Sequence, residues 1–324
     1  MKLVRFQQKP FESRIGVMVD SSHISELTVA KGSQEPILDF LKDPKAHGKA
    51  SAASEAGLDL VRNGKPTKNG PVYKLEEVTF LPPVSRPSKI ICMGGNFSDH
   101  LSEGGTSLPP FPISFLKAPT SLVGHRGPVV YPRQVKLLDY EVELATIIGR
   151  RCKNIPKDEA LQCVAGFSIF NDISARDIQF AEMKRGFCNM GKNFDTFAPM
   201  GPFLVTPDQA GNPDDLEMEL RVNGQTRQLS STKKMVFKVR QLVEFFSSMT
   251  LEPGDIITSG TPSGVAIYRK PDKDPFLLRP GDAIESRISN LGRLQNTVVV
   301  ETPLAELKLR TVSGSTAATV PARS

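Results

Sequence analysis

The chain has 324 residues, 39% of them hydrophobic and 23% charged, with a formal net charge of +6 and a pI near 9.1. That composition is usual for a soluble globular protein and long enough for one large domain or two ordinary ones. The 41 basic residues are interspersed with 35 acidic ones and no basic run exceeds two, which argues against nucleic acid as a partner. No apolar stretch approaches the roughly 18–20 residues that cross a bilayer, so no membrane role is expected.

The N-terminus reads as a short strand over residues 2–6, followed by a second over 14–19. It lacks the apolar core of a signal peptide and the long Arg/Ser-rich helix of a transit peptide. The cytoplasm and the mitochondrial matrix both remain open. A helix is expected near residues 36–41, then a polar, Ala-rich segment over 46–62. The Pro-rich run from Leu81 to Pro87 reads as a linker or edge segment, because proline removes backbone donors. Residues 89–93 form an apolar strand entering a second, larger domain. Beyond it, strand patterns dominate: 129–131, 140–148, 164–170, 216–222, 255–258 and 295–301. Helices are expected over 174–184, opened by a capping box of Ser174 and Asp177, and over 239–248. The four cysteines, Cys92, Cys152, Cys163 and Cys188, form no C-x-x-C pair. Zinc and disulfide scaffolds find no support, and a reducing intracellular compartment fits. The coarse class is α+β and β-rich: a small N-terminal α/β module with its linker over residues 1–85, a catalytic domain over 86–303, and a disordered tail over 304–324.

The most informative run is Leu138-Asp139-Tyr140-Glu141-Val142-Glu143-Leu144. Side chains alternate faces along a strand, so Asp139, Glu141 and Glu143 share one, with Glu141 and Glu143 about 7 Å apart. Carboxylates that close repel, and a hard cation resolves the repulsion. Read alone, the run is more readily an exposed acidic face, because charge runs are usually solvated. A third carboxylate, Asp172, follows an apolar strand and precedes the expected helix, a common place for function. On that helix Arg176 and Gln179, three apart, face the same way beside Asp172.

Five ordered segments over about residues 88–301 resemble the fumarylacetoacetate hydrolase family. Asp139 to Leu144 resembles its E-x-E strand, and Asn171 to Gln179 its D-x-[ST]-x-R-D-x-Q segment. Gly191 to Pro199 resembles G-K-[ST]-x-D-x-F-x-P, with Asn193 in place of Ser or Thr. Thr258 to Val265 resembles the T-G-T-P-x-G-V loop, and Asn96 to Glu103 the N-Y-x-x-H-x-x-E segment, with Phe97 for Tyr. Phe187 stands where many relatives have Trp. The resemblance implies a mixed β-sandwich or roll catalytic domain. It implies Glu141, Glu143 and Asp172 as ligands of a divalent cation, Mg²⁺ first, with Mn²⁺ or Ca²⁺ as alternatives. Lys192 becomes the pocket lysine, Gln179 and Thr261 substrate contacts, and His100 with Glu103 a pair on a closing lid. It also implies a homodimer.

A 2-oxo acid is the expected small-molecule partner, because its carboxylate and carbonyl oxygens chelate a cation together. Lys192 supplies positive charge near the developing enolate, and Thr261 with the Gly260 and Gly264 N–H groups holds a carboxylate. His100, oriented by Glu103, moves a proton or activates water. The segments 235–238 and 268–271 look closest to a branch whose members are oxaloacetate tautomerases or hydrolases. Keto–enol tautomerisation of oxaloacetate is the first reading. Cleavage of a C–C bond in acylpyruvates or similar β-diketo acids, or oxaloacetate decarboxylation, is the alternative. A non-catalytic binding protein is disfavoured because every site residue is present.

Overall fold

The computed structural model describes residues 1–8, 12–29, 32–64, 70–302. The expected tail lies outside the described residues. The expected α+β, β-rich class holds, as a twelve-stranded sheet stacked on a five-stranded one. Among the described residues no helix is long and apolar enough to cross a membrane.

The strand Val142–Ile148 shows why the layers form. All seven residues are buried, because antiparallel neighbours Val164–Asn171 and Ile256–Thr258 flank it and both of its faces are covered. Val142, Leu144 and Ile148 enter a core shared with Met218, Leu220 and Ile284 of the five-stranded sheet. Ala145 and Ile147 enter a second core with Ile37, Phe40 and Ala50 of the N-terminal helices. The period-2 alternation thus sorts one strand between two cores. The parallel strand Ile90–Gly94 follows Ile256–Thr258 in the sheet, and Ile113–Lys117 closes that edge.

At the other end the first strand, Lys2–Gln7, pairs with Ala198–Val205 through Lys2↔Val205 and Leu3↔Leu204. The strands Arg14–Met18, His23–Leu27 and Val72–Lys74 extend the same sheet outward. The Ala-rich segment is a helix, Ala46–Asn63, that buries Ala46, Ala50, Ala53 and Gly57. Small residues at helical spacing let it lie close on the sheet.

Two local expectations need correction. The acidic strand is not continuous: Leu138–Asp139 pairs separately with Ser174–Ala175, and the long strand begins at Val142. The helix begins at Arg176, with Ala175 as an uncapped N-cap. Ser174 is strand, and its hydroxyl donates to the Asp172 carbonyl at 2.9 Å. The extended backbone at Ser174 won because Leu138–Asp139 supplies it with a ladder partner.

Candidate active site

The break before Val142 is what turns Glu141 inward. The Glu141 N–H donates to the Asn171 side-chain oxygen at 2.8 Å, and the Asp172 N–H donates to the Glu141 carbonyl at 2.9 Å. Glu143 lies one step into the buried strand. Its Oε2 accepts from the Gly260 N–H at 3.1 Å, where the chain leaves the strand Ile256–Thr258. One carboxylate oxygen each from Glu141, Glu143 and Asp172 lies within 4.8 Å of the other two, and all three residues are buried.

Cations crowd this centre. Lys192 donates to Glu141 Oε2 at 2.7 Å and to Asp172 Oδ2 at 2.6 Å. Arg176 donates to Glu141 Oε1 at 2.6 Å, to Asp139 Oδ2 at 2.9 Å and to Gln179 Oε1 at 3.0 Å. Burial alone would push the Glu141 carboxyl up, but the charges of Arg176 and Lys192 outweigh it and hold Glu141 at about 2. Burial also opposes charge on Lys192, and the carboxylates of Asp172 and Glu141 override it to raise the ammonium pKa. Glu143 has no such cation. Burial, then the negative charges of Asp172 and Glu141, push it well above the usual carboxylate range. Its Oε1 is buried with no hydrogen-bond partner among the described residues. A buried acceptor left unpaired costs on the order of 1–3 kcal/mol. The orphan oxygen and the clustered carboxylates fit a hard divalent cation, which takes oxygen ligands.

Lys117, which sequence reasoning passed over, and Asn193, noted there only as a departure from the family segment, complete the centre. Lys117, at the end of the edge strand Ile113–Lys117, is fully buried. It donates to Asp172 Oδ1 at 2.6 Å and also to the Lys192 carbonyl. Asn193 ties the same two segments together. It accepts from the Ala118 N–H and donates to the Leu116 carbonyl at 3.1 Å. The only sequence signal was a lysine closing an apolar strand, which reads as a solvated end. Asp139 does not join the carboxylate cluster. It turns to Arg176 and accepts from the Ala266 and Ile267 N–H groups at 2.9 and 3.1 Å.

A cavity of about 340 Å³ opens above Glu141 and Lys192, walled by Arg176, Gln179, Thr261, His100, Phe115 and Tyr268 among others. Thr261 donates to the Val142 carbonyl at 3.1 Å and accepts from Gln228 at 2.9 Å. His100 and Glu103 lie on the short helix Ser98–Gly104 over the cavity. His100 Nδ1 stands 3.6 Å from Glu103 Oε2, longer than a hydrogen bond, and has no other partner among the described residues. Both Glu103 oxygens instead accept from the Gly264 N–H at 3.0 Å. Gly264 has φ +104°, and a Cβ there would lie 2.3 Å from the Arg227 carbonyl oxygen, so only glycine fits. The expectation that the Gly260 and Gly264 N–H groups stand open to a ligand carboxylate is therefore corrected. The carboxylates of Glu143, which is buried, and Glu103, which is half-buried, take them up.

Residues 89–299 match the family model described as fumarylacetoacetate (FAA) hydrolase C-terminal. Among curated proteins, human "Oxaloacetate tautomerase FAHD2A, mitochondrial" is 42% identical over 257 residues, covering 79% of this chain and 80% of that protein. Among solved structures, the fumarylacetoacetate hydrolase of psychrophilic Exiguobacterium antarcticum superposes with a TM-score of 0.71. It is 34% identical, covering 93% of this chain and 100% of that one. The 5-carboxymethyl-2-hydroxymuconate delta-isomerase of Mycobacterium smegmatis gives a TM-score of 0.70 at 30% identity, over 93% of this chain and 100% of that one.

Proposed function

We propose that this chain, which belongs to the fumarylacetoacetate hydrolase family, catalyses the keto–enol tautomerisation of oxaloacetate with a divalent cation, Mg²⁺ first. The observation that carries the reading is the cluster of three buried carboxylates, one of which, Glu141, lines a cavity sized for a small acid. A relative at 42% identity bears the name oxaloacetate tautomerase. Glu141, Glu143 and Asp172 would hold the cation. Bound there, it supplies Lewis-acid polarisation of the carbonyl of a 2-oxo acid.

The protein's own groups do the rest. Lys192, anchored on Glu141 and Asp172, places positive charge where the carbonyl oxygen gains electron density. Thr261 and Gln179 line the cavity and orient the acid. The imidazole of His100 takes a proton from C3 as that C–H bond breaks and, as imidazolium, returns it to the carbonyl oxygen, so the enol forms with no C–C bond broken. Glu103 keeps the helix that carries His100 docked on Gly264.

The test is an ultraviolet assay of enol-oxaloacetate decay with Mg²⁺, comparing the protein, Glu141→Ala, and an EDTA control. Metal-dependent acceleration, absent in the variant and without pyruvate formation, is the expected result. Decay at the metal-only rate would overturn tautomerisation. Pyruvate as product would move the reading to decarboxylation of oxaloacetate, a C–C cleavage.

A further inference from the structure

We propose that Tyr268 determines substrate specificity: its hydroxyl takes the second carboxylate of a dicarboxylic 2-oxo acid. This rests on the reading of the site as one for 2-oxo acids. Tyr268 lines the cavity, and its hydroxyl has no hydrogen-bond partner among the described residues. The ring is held in place from three directions. It lies 5.6 Å from the His100 ring, tilted by 46°. Its edge and hydroxyl lie 3.2–3.3 Å from where a Cβ on Gly104 would stand, so the short helix packs tightly against it and a side chain at 104 would press on the ring. From behind, the Asp139 carboxylate holds the Ala266 and Ile267 N–H groups, and Asp139 is itself held by Arg176.

The cavity's charges favour a neutral donor at this end. Its two permanent cations, Lys192 and Arg176, are both committed to buried carboxylates. An acid anchored by its 2-oxo end over Glu141 extends toward His100 and Tyr268. A second carboxylate there meets a fixed hydroxyl with one unused donor and the imidazole beside it. A methyl group in the same place would leave that hydroxyl unpaired, and loss of such a bond to a charged group is the kind of contact that discriminates strongly.

Calorimetric titration in Mg²⁺ with oxaloacetate and with 2-oxobutanoate, which carries methyl in place of the second carboxylate, tests this. The wild type is expected to bind oxaloacetate more tightly. Tyr268→Phe, which keeps the ring against His100 and Gly104, should weaken oxaloacetate about tenfold or more and leave 2-oxobutanoate within about twofold. Equal weakening of both acids would reduce Tyr268 to a positioning residue and overturn the proposal. So would an unchanged oxaloacetate affinity, or a wild type with no preference. Enol-oxaloacetate decay run on the same samples separates the two readings: a preference that Tyr268→Phe abolishes, in a protein that does not accelerate the decay, keeps the subsite and rejects tautomerisation.

Discussion

Glu141 and Glu143 are two residues apart and equally buried, yet their environments push them in opposite directions. Arg176 and Lys192 compensate Glu141, whereas Glu143 has one backbone donor and an orphan oxygen. Replacing Glu143 by Gln removes a charge the metal-free centre disfavours. We expect it to raise the metal-free melting temperature by a few degrees, at roughly 2–4 °C per kcal/mol. On the proposed reading it should also abolish the thermal shift expected on adding Mg²⁺. A variant that melts lower and still responds to Mg²⁺ would exclude Glu143 as a ligand. Lys117→Met tests the opposite case. It leaves Asp172 Oδ1 without its ammonium, and breaking a buried pair from one side costs about 3–5 kcal/mol. Denaturant unfolding of Lys117→Met, Asp172→Asn and the double variant should show the double less destabilised than the sum of the singles. The carboxylates were legible in the sequence because Glu141 and Glu143 recur at strand period and Asp172 ends a strand. Lys117 was not, because the partner that explains its burial is 55 residues away.

At the scale of the element, the helix Ser98–Gly104 has seven residues and buries only Leu101, too short to be stable by itself. Side chains pin it instead. Asp99 accepts from Ser230 at 2.7 Å and Lys234 at 3.0 Å, and Glu103 from Gly264. Glu103→Ala should therefore speed amide exchange across residues 98–104 by hydrogen-exchange mass spectrometry, while Val142–Ile148 stays protected. Unchanged exchange in the helix would mean Glu103 does not hold it. The likeness of Asn96 to Glu103 to the N-Y-x-x-H-x-x-E segment announced it in the sequence. The strand Ala198–Val205 was not among the expected strands, because Pro199, Gly201 and Pro202 interrupt the strand pattern. All eight residues are nonetheless buried in the middle of the large sheet. Hydrogen bonding there continues around the prolines, with a register shift in its pairing to Val164–Asn171.

For the whole molecule, the large sheet joins the N-terminal strands to the one that carries Glu143 and the one that leads into Asp172, so the acidic centre and the fold should titrate together. Glu141, lowered to about 2 from 4.5, contributes stability that is present above pH 4.5 and lost as the pH falls toward 2. Glu143 runs the other way. Its carboxyl is raised well above 4.5, so its contribution is full below pH 4.5 and is lost as the pH rises through its folded pKa. A cation at this centre needs Glu143 charged, and binding releases its proton. The thermal shift produced by a fixed Mg²⁺ concentration should then grow as the pH rises above 4.5 toward the folded pKa of Glu143, following RT ln(1 + [L]/Kd) with a tightening Kd. The metal-free protein, held in EDTA, should lose melting temperature over the same interval. Because Lys2–Gln7 pairs directly with Ala198–Val205, both effects should appear in one cooperative calorimetric transition. A separate early transition that ignores Mg²⁺ would show that the N-terminal strands unfold independently of the site. A shift of constant size across the pH range would show that no proton leaves Glu143 when the cation binds.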